Sequence, residues 1–181
     1  MIQKRVAADD PMALTDFANM YRIGGYGLQQ DVMRAVDLYE RAAKLGLKEA
    51  HLRLGYMYDE GEDIEKDTAK AILHWEAAAV KGDAHARCSL GILEANAGYY
   101  DLAMQHYMIA AKMGHQSALN NIKKHYKIAA KLGQVGSLKN ILGLIGYATK
   151  ADYEEALRGH QSAVEEMTSP DREEALALSK K

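Results

Sequence analysis

AHLRLGYMYDEGEDIEKDTAKAILHWEAAAVKGD, residues 50–83, is the stretch that decides the fold. It reads as two helices around an inner loop. The first carries a close-packing step at Leu54-Gly55 and an aromatic at Tyr58. GEDIEKD (61–67) follows as an acidic loop, and Asp67 is placed to accept the free first-turn amides of the second helix. That helix bears Ala71 with Trp75 four positions on, then Ala78 and Ala79. Lys81 and Gly82 close it, a cation in the last turn and a glycine able to take positive φ as the C-cap.

The same parts recur on both sides. AAKLG at 42–46, AAVKG at 78–82, AAKMG at 110–114 and AAKLG at 129–133 are copies of one phrase. Gly46 and Gly82 stand 36 residues apart, Gly82 and Gly114 32, and Gly114 and Gly133 only 19. Phe17-Ala18 and Leu90-Gly91 repeat the close-packing step. Tyr21 repeats Tyr58, and Asp31 repeats the N-cap. Ala35 with Tyr39 and Ala103 with Tyr107 repeat the small-aromatic pair, and Ala35, Tyr39, Ala42 and Ala43 share one helical face. A lone helix pair exposes apolar surface on two sides, so such units must stack. The expected fold is therefore all-α, an α-solenoid wound as a right-handed superhelix of helix-turn-helix repeats. Gly46, Gly82, Gly114 and Gly133 are each expected to end a helix, and Gly55 and Gly91 to lie at helix crossings.

ALTDFANMYRIGGYGLQQDVMRAVDLYERAAKLG (13–46) and the stretch quoted first resemble Sel1-like repeats, the 36-residue relatives of TPR. The second copy matches at Ala50, Leu54, Gly55, Tyr58, Gly61, Asp67, Ala71, Trp75, Ala78, Ala79 and Gly82. A third, 86–114, matches with a TPR-length turn at Gly98-Tyr99-Tyr100. On this reading residues 10–46 and 47–82 are Sel1-like repeats and 83–114 is a repeat of TPR length. Residues 115–181 hold a degenerate repeat and capping helices. In that last part HYMIAAKMGHQSALNNIKK (106–124) is echoed by HYKIAAKLGQVGSLKNILG (125–143), which leaves room for one helix between Gln116 and Lys131. Further helices are expected at about 137–146 and 150–167, then a short one opened by Ser169-Pro170. The tail resembles the C-terminal ends of Sel1-like proteins abundant in diatoms.

Hydrophobic residues form 48% of the 181 and charged residues 27%, the balance of a soluble folded chain. Its formal net charge of −2 offers no general attraction to nucleic acid or an anionic membrane. The local basic stripe of Lys123, Lys124, Lys127 and Lys131 and the acidic run from Asp59 to Glu65 read as solvated faces. The single cysteine excludes an internal disulfide. The absence of a leader-like or membrane-spanning apolar run leads to a cytoplasmic expectation.

Catalytic chemistry is not expected. His85 and Cys88 stand three apart with no third orienting group, the seven histidines form no metal motif, and GGYG (24–27) follows a helix rather than a strand. No cofactor or metal is called for. Sel1-like proteins described as hydrolases of β-lactams are cysteine-rich, unlike this chain. The resemblance implies adaptor work in protein assemblies, with the first helix of each pair lining the groove. Asn19, Arg22, Leu52, Tyr56, Asp59, Ile92, Asn96, Lys124 and Lys127 are the expected partner-binding residues, with Cys88 and Asn120 at the same register. Tyr56 is expected to be the anchor and Tyr58 the core residue. The partner would be a protein or peptide, and the chain a monomer or weak homodimer. The rival reading is a structural module that self-associates through its C-terminal helices.

Overall fold

The computed structural model describes residues 2–131 apart from residue 63, with side chains from residue 4 to residue 125. These residues fold as α1 (Ile2–Ala7), α2 (Pro11–Ile23), α3 (Val32–Lys44), α4 (Lys48–Glu60), α5 (Thr68–Val80), α6 (Ala84–Asn96), α7 (Tyr100–Lys112) and α8 (Gln116–Lys131). No strand occurs among the described residues. None of their helices is long and apolar enough to cross a membrane. The chain divides into two compact units, Met1–His115 and Gln116–Lys181. The helices expected near 137–146, 150–167 and after Ser169, and the turn at Gly133, lie outside the described residues.

In the first unit α2 packs on α3, α4 on α5 and α6 on α7, and α3–α4 and α5–α6 contacts join successive pairs. Alanine makes this closeness possible. Ala18, Ala35, Ala42, Ala50, Ala71, Ala78, Ala86, Ala103 and Ala110 are wholly buried, and the large rings of Tyr39, Trp75 and Tyr107 fill the space they leave. Each core reaches one helix into the next repeat. Leu14, Phe17, Leu38 and Tyr39 cluster with Ala50, Leu54 and Met57 of α4. Ala71, Trp75 and Leu52 cluster with Ala86 and Leu90 of α6. Nearest-neighbour burial of this kind is what makes a solenoid.

The helix starts follow from the aspartates. Asp31 Oδ1 accepts from Arg34 N–H at 2.9 Å and Asp67 Oδ1 from Lys70 N–H at 3.0 Å. The same two residues also close the inner loops, because their own N–H groups donate to the carbonyls of Tyr21 and Tyr58, both at 2.9 Å. Two further caps were not anticipated: Asp10 ahead of Pro11, and the buried Asp83, which accepts from Ala86 N–H at 2.9 Å. The short α1 was not anticipated either. It packs on α2, and Arg5 pairs with Asp10 at 2.8 Å.

Gly46, Gly82 and Gly114 have φ of 90°, 75° and 86°. They stand one residue beyond the cap, which falls at Leu45, Lys81 and Met113. Each site is a Schellman turn. Gly46 N–H donates to Ala43 O and Leu47 N–H to Ala42 O. Gly82 and Asp83 bond in the same way to Ala79 and Ala78, and Gly114 and His115 to Ala111 and Ala110. A Cβ on Gly82 or Gly114 would meet nothing within 4 Å, so a substitution there costs only backbone strain. Gly82→Ala and Gly114→Ala are each expected to lose about 1 kcal/mol in a thermal or denaturant melt. A rise in melting temperature for either would contradict the left-handed turn.

In the second unit α8 has Ala118 and Ile122 buried and Lys123 and Lys124 exposed.

Candidate protein-binding face

The first helix of each pair (α2, α4, α6) turns its Leu/Phe and Gly/Ala side toward its partner helix. That leaves another side of each helix turned away from its own partner helix. On α2 this side is polar and prepositioned. Tyr39, wholly buried on α3, donates from its hydroxyl to Asn19 Oδ1 at 2.6 Å. With its oxygen so engaged, the Asn19 amide presents its NH2 as donor. Burial pushes the Tyr39 hydroxyl above its ordinary range, while the charge and hydrogen bond of Arg22 act against that rise. Tyr39 therefore stays a neutral donor, tied to both Asn19 and Arg22.

On α4, Arg53 and Glu49 pair at 2.7 Å one helical turn apart. Tyr56 is half-buried and meets Trp75 edge to face, with ring centroids 5.5 Å apart. Ser89 of α6 reaches its hydroxyl at 3.4 Å, a long and weak hydrogen bond. Asp59 is loosely paired with Lys66 at 3.8 Å. On α6, Ile92 is 44% exposed and Asn96 is exposed.

Two expected groove residues are corrected. Leu52 is buried against Trp75, Ala86 and Leu90, because α6 of the next repeat covers that side of α4. Cys88 is 3% exposed and so lines no groove. His85 does not serve it as a base, since its ring turns to His115 at 3.0 Å. The division between Tyr56 and Tyr58 is also softer than expected. Both are half-buried and pack against the same core, and Tyr58 stacks on His74 with ring centroids 5.8 Å apart. Lys124 is exposed on α8 in the second unit, and the side chain of Lys127 lies outside the described residues. Glu49 and Arg53 were not singled out by the sequence, although their i,i+4 spacing was visible. Among the described residues no three or more His, Cys, Asp or Glu side chains gather as a metal site.

Comparison with known proteins sharpens this picture. The sequence model described as the Sel1 repeat matches residues 11–47 and 48–83, the α2–α3 and α4–α5 pairs. These helix pairs are Sel1 repeats. The α6–α7 pair repeats their construction, with Gly91 beneath Tyr107 and a Schellman turn at Gly114. A crystal structure of a Sel1 repeat protein from Oxalobacter formigenes superposes with a TM-score of 0.60 at 28% identity, covering 68% of this chain and 95% of that one. A protective antigen of uropathogenic Escherichia coli with an SLR fold gives 0.63 at 20% identity, over 91% of this chain and 32% of that one, a likeness of fold alone. Chitin synthase regulatory factor 4 of Schizosaccharomyces pombe is 31% identical over 134 residues, 65% of this chain and 21% of that protein. Protein sel-1 homolog 2 of Mus musculus is 30% identical over 79 residues, 44% of this chain and 11% of that protein. The chain thus spans about a fifth or less of these two curated relatives. Sel1 repeats serve generally as protein–protein interaction modules.

Proposed function

We propose that the Sel1 repeats act as a non-catalytic scaffold or adaptor that holds a protein or peptide partner on the outward side of α2, α4 and α6. The observation that carries this reading is the preorganised row on those helices. Asn19 and Arg22 are fixed by Tyr39, and Tyr56 is braced by Trp75. Ordering entropy spent in folding need not be spent again on binding. Asp59, Ile92 and Asn96 extend the row, and Lys124 and Lys127 remain proposed contacts. The name of the fission-yeast relative, a regulatory factor, supports adaptor work rather than chemistry. Repeat boundaries at 10–46, 47–82 and 83–114, a cytoplasmic location and a monomer or weak homodimer belong to the same proposal. Self-association through the C-terminal helices is the alternative. Light scattering during size-exclusion chromatography separates the two.

Capture on the immobilised chain with cross-linking mass spectrometry would supply the partner, and point variants would test the face. Ile92→Ala removes exposed apolar contact, so its melting temperature should match the parent while binding weakens by about 1 kcal/mol. Tyr56→Ala should weaken binding by about 1–2 kcal/mol and also lower stability, since it strips the edge of Trp75. A partner that binds Ile92→Ala, Tyr56→Ala and Arg22→Ala as tightly as the parent would place the interface elsewhere.

A further inference from the structure

At two places the structure sets imidazole against imidazole. His51 Nδ1 and His74 Nδ1 are 3.1 Å apart, and His85 Nδ1 and His115 Nε2 are 3.0 Å apart. Two neutral rings at that distance share one proton, one ring donating and the other accepting. In the first pair His51 also meets the main chain of Ala43, on α3, a contact that favours a protonated ring. The pair therefore reaches from α5 through α4 to α3, across the junction between two repeats. Tyr58 lies flat over His74, with an interplanar angle of 4°, and Lys70 sits over the Tyr58 ring.

Such a pair has a limited capacity for protons. One extra proton can enter at Nε2 of the donating ring with the shared hydrogen bond kept. A second must go to Nδ1 of the accepting ring, and then two N–H groups confront each other. The charges that bear on the pair are cationic, Lys81 on His51 and Lys70 on His74. In the second pair burial, and then His85, lower His115, while Asp83 acts against that fall.

We propose that the His51–His74 pair is an acid-sensitive latch, which ties α3, α4 and α5 together while both rings are neutral and opens as they take up protons. Burial first, and His51 second, lower His74 to about 4 from the ordinary 6.5, and burial with the charge of Lys81 lowers His51. The unfolded chain therefore binds more protons than the folded one below that ordinary value. The latch stabilises fully above about pH 6.5 and is lost as the pH falls toward about 4. From pH 7 to 5, His74 alone would raise the unfolding constant by at most about 20-fold, less because its partly exposed ring is screened by solvent.

The test reads folding and needs no partner, so it stands or falls apart from the adaptor reading. Thermal melts at pH 7 and pH 5 would compare the parent chain with His51→Gln and His74→Gln. The parent should lose melting temperature on acidification, and each variant should lose clearly less. Histidine ring NMR titration of the parent should show both rings taking up protons below the ordinary 6.5, His74 near 4. This second measurement decides the matter if a variant does not fold. Titration of both rings at the ordinary value of 6.5, or an acid loss in both folded variants equal to the parent's, would overturn the latch.

Discussion

Gly55→Ala should destabilise the protein, although the same change in an exposed helix interior is worth about 0.5–1 kcal/mol in the opposite direction. A Cβ at Gly55 would overlap Nε1 and Cδ1 of Trp75, a ring that is 2% exposed and has no room to retreat. The overlap is expected to cost about 1–3 kcal/mol, and Gly55→Leu more. Gly91 is the matching position one repeat on, where a Cβ would stand 2.8 Å from Tyr107 Cε1 and 3.1 Å from the main-chain oxygen of Ala103. A denaturant melt of Gly55→Ala decides the matter, and a variant as stable as the parent would contradict the crossing. The effect should also be non-additive. In a Trp75→Leu background, where the ring is gone, Gly55→Ala should cost far less than in the parent.

Trp75→Ala should be the most damaging single truncation, at about 3–5 kcal/mol. That is a large share of the stability of an ordinary domain, about 5–15 kcal/mol. The indole is shared by two repeats, since it clusters with Leu52 of its own pair and with Ala86 and Leu90 of the next. It also braces Tyr56. Its loss should therefore unfold the α4–α5 pair and loosen α6 with it. Trp75→Phe should fare much better than Trp75→Ala. The indole Nε1–H has no hydrogen-bond partner among the described residues, and a buried N–H left unpaired costs about 1–3 kcal/mol. A phenyl ring keeps most of the packing and removes that cost. Urea titrations of the two variants would check the ordering, and equal loss in both would deny Trp75 its packing role.

What the sequence made legible was local and periodic. Leu54-Gly55, Ala71 with Trp75, Asp67 as cap and Gly82 as turn are each decided within one or two helical turns, and each stands where the repeat register put it. The candidate face was legible only in part, because exposure depends on the neighbouring repeat. Leu52 joins Trp75 of its own pair, and Ala86 and Leu90 of the next repeat complete its burial, which the register along α4 alone does not show. Cys88 fails for the same reason: register on one helix does not reveal what the next element covers. The histidine pairs were beyond reach of any spacing rule. Their members are 23 and 30 residues apart and belong to different elements, so only the packed structure brings them together. The six-residue α1 offers too little periodicity to be read from the sequence.

The turns at Gly46, Gly82 and Gly114 are held by main-chain hydrogen bonds, two at each site. The amides and carbonyls that set the path from one repeat into the next are therefore the same whatever side chains stand nearby. The glycine alone is required. An array jointed in this way can change its outward residues without changing its pitch. It can also gain or lose a unit at a glycine without redesigning the seam, provided the incoming helix brings the small residue and the ring that its neighbours need. The recurrence of AAKLG, AAVKG and AAKMG beside such different faces is consistent with that freedom.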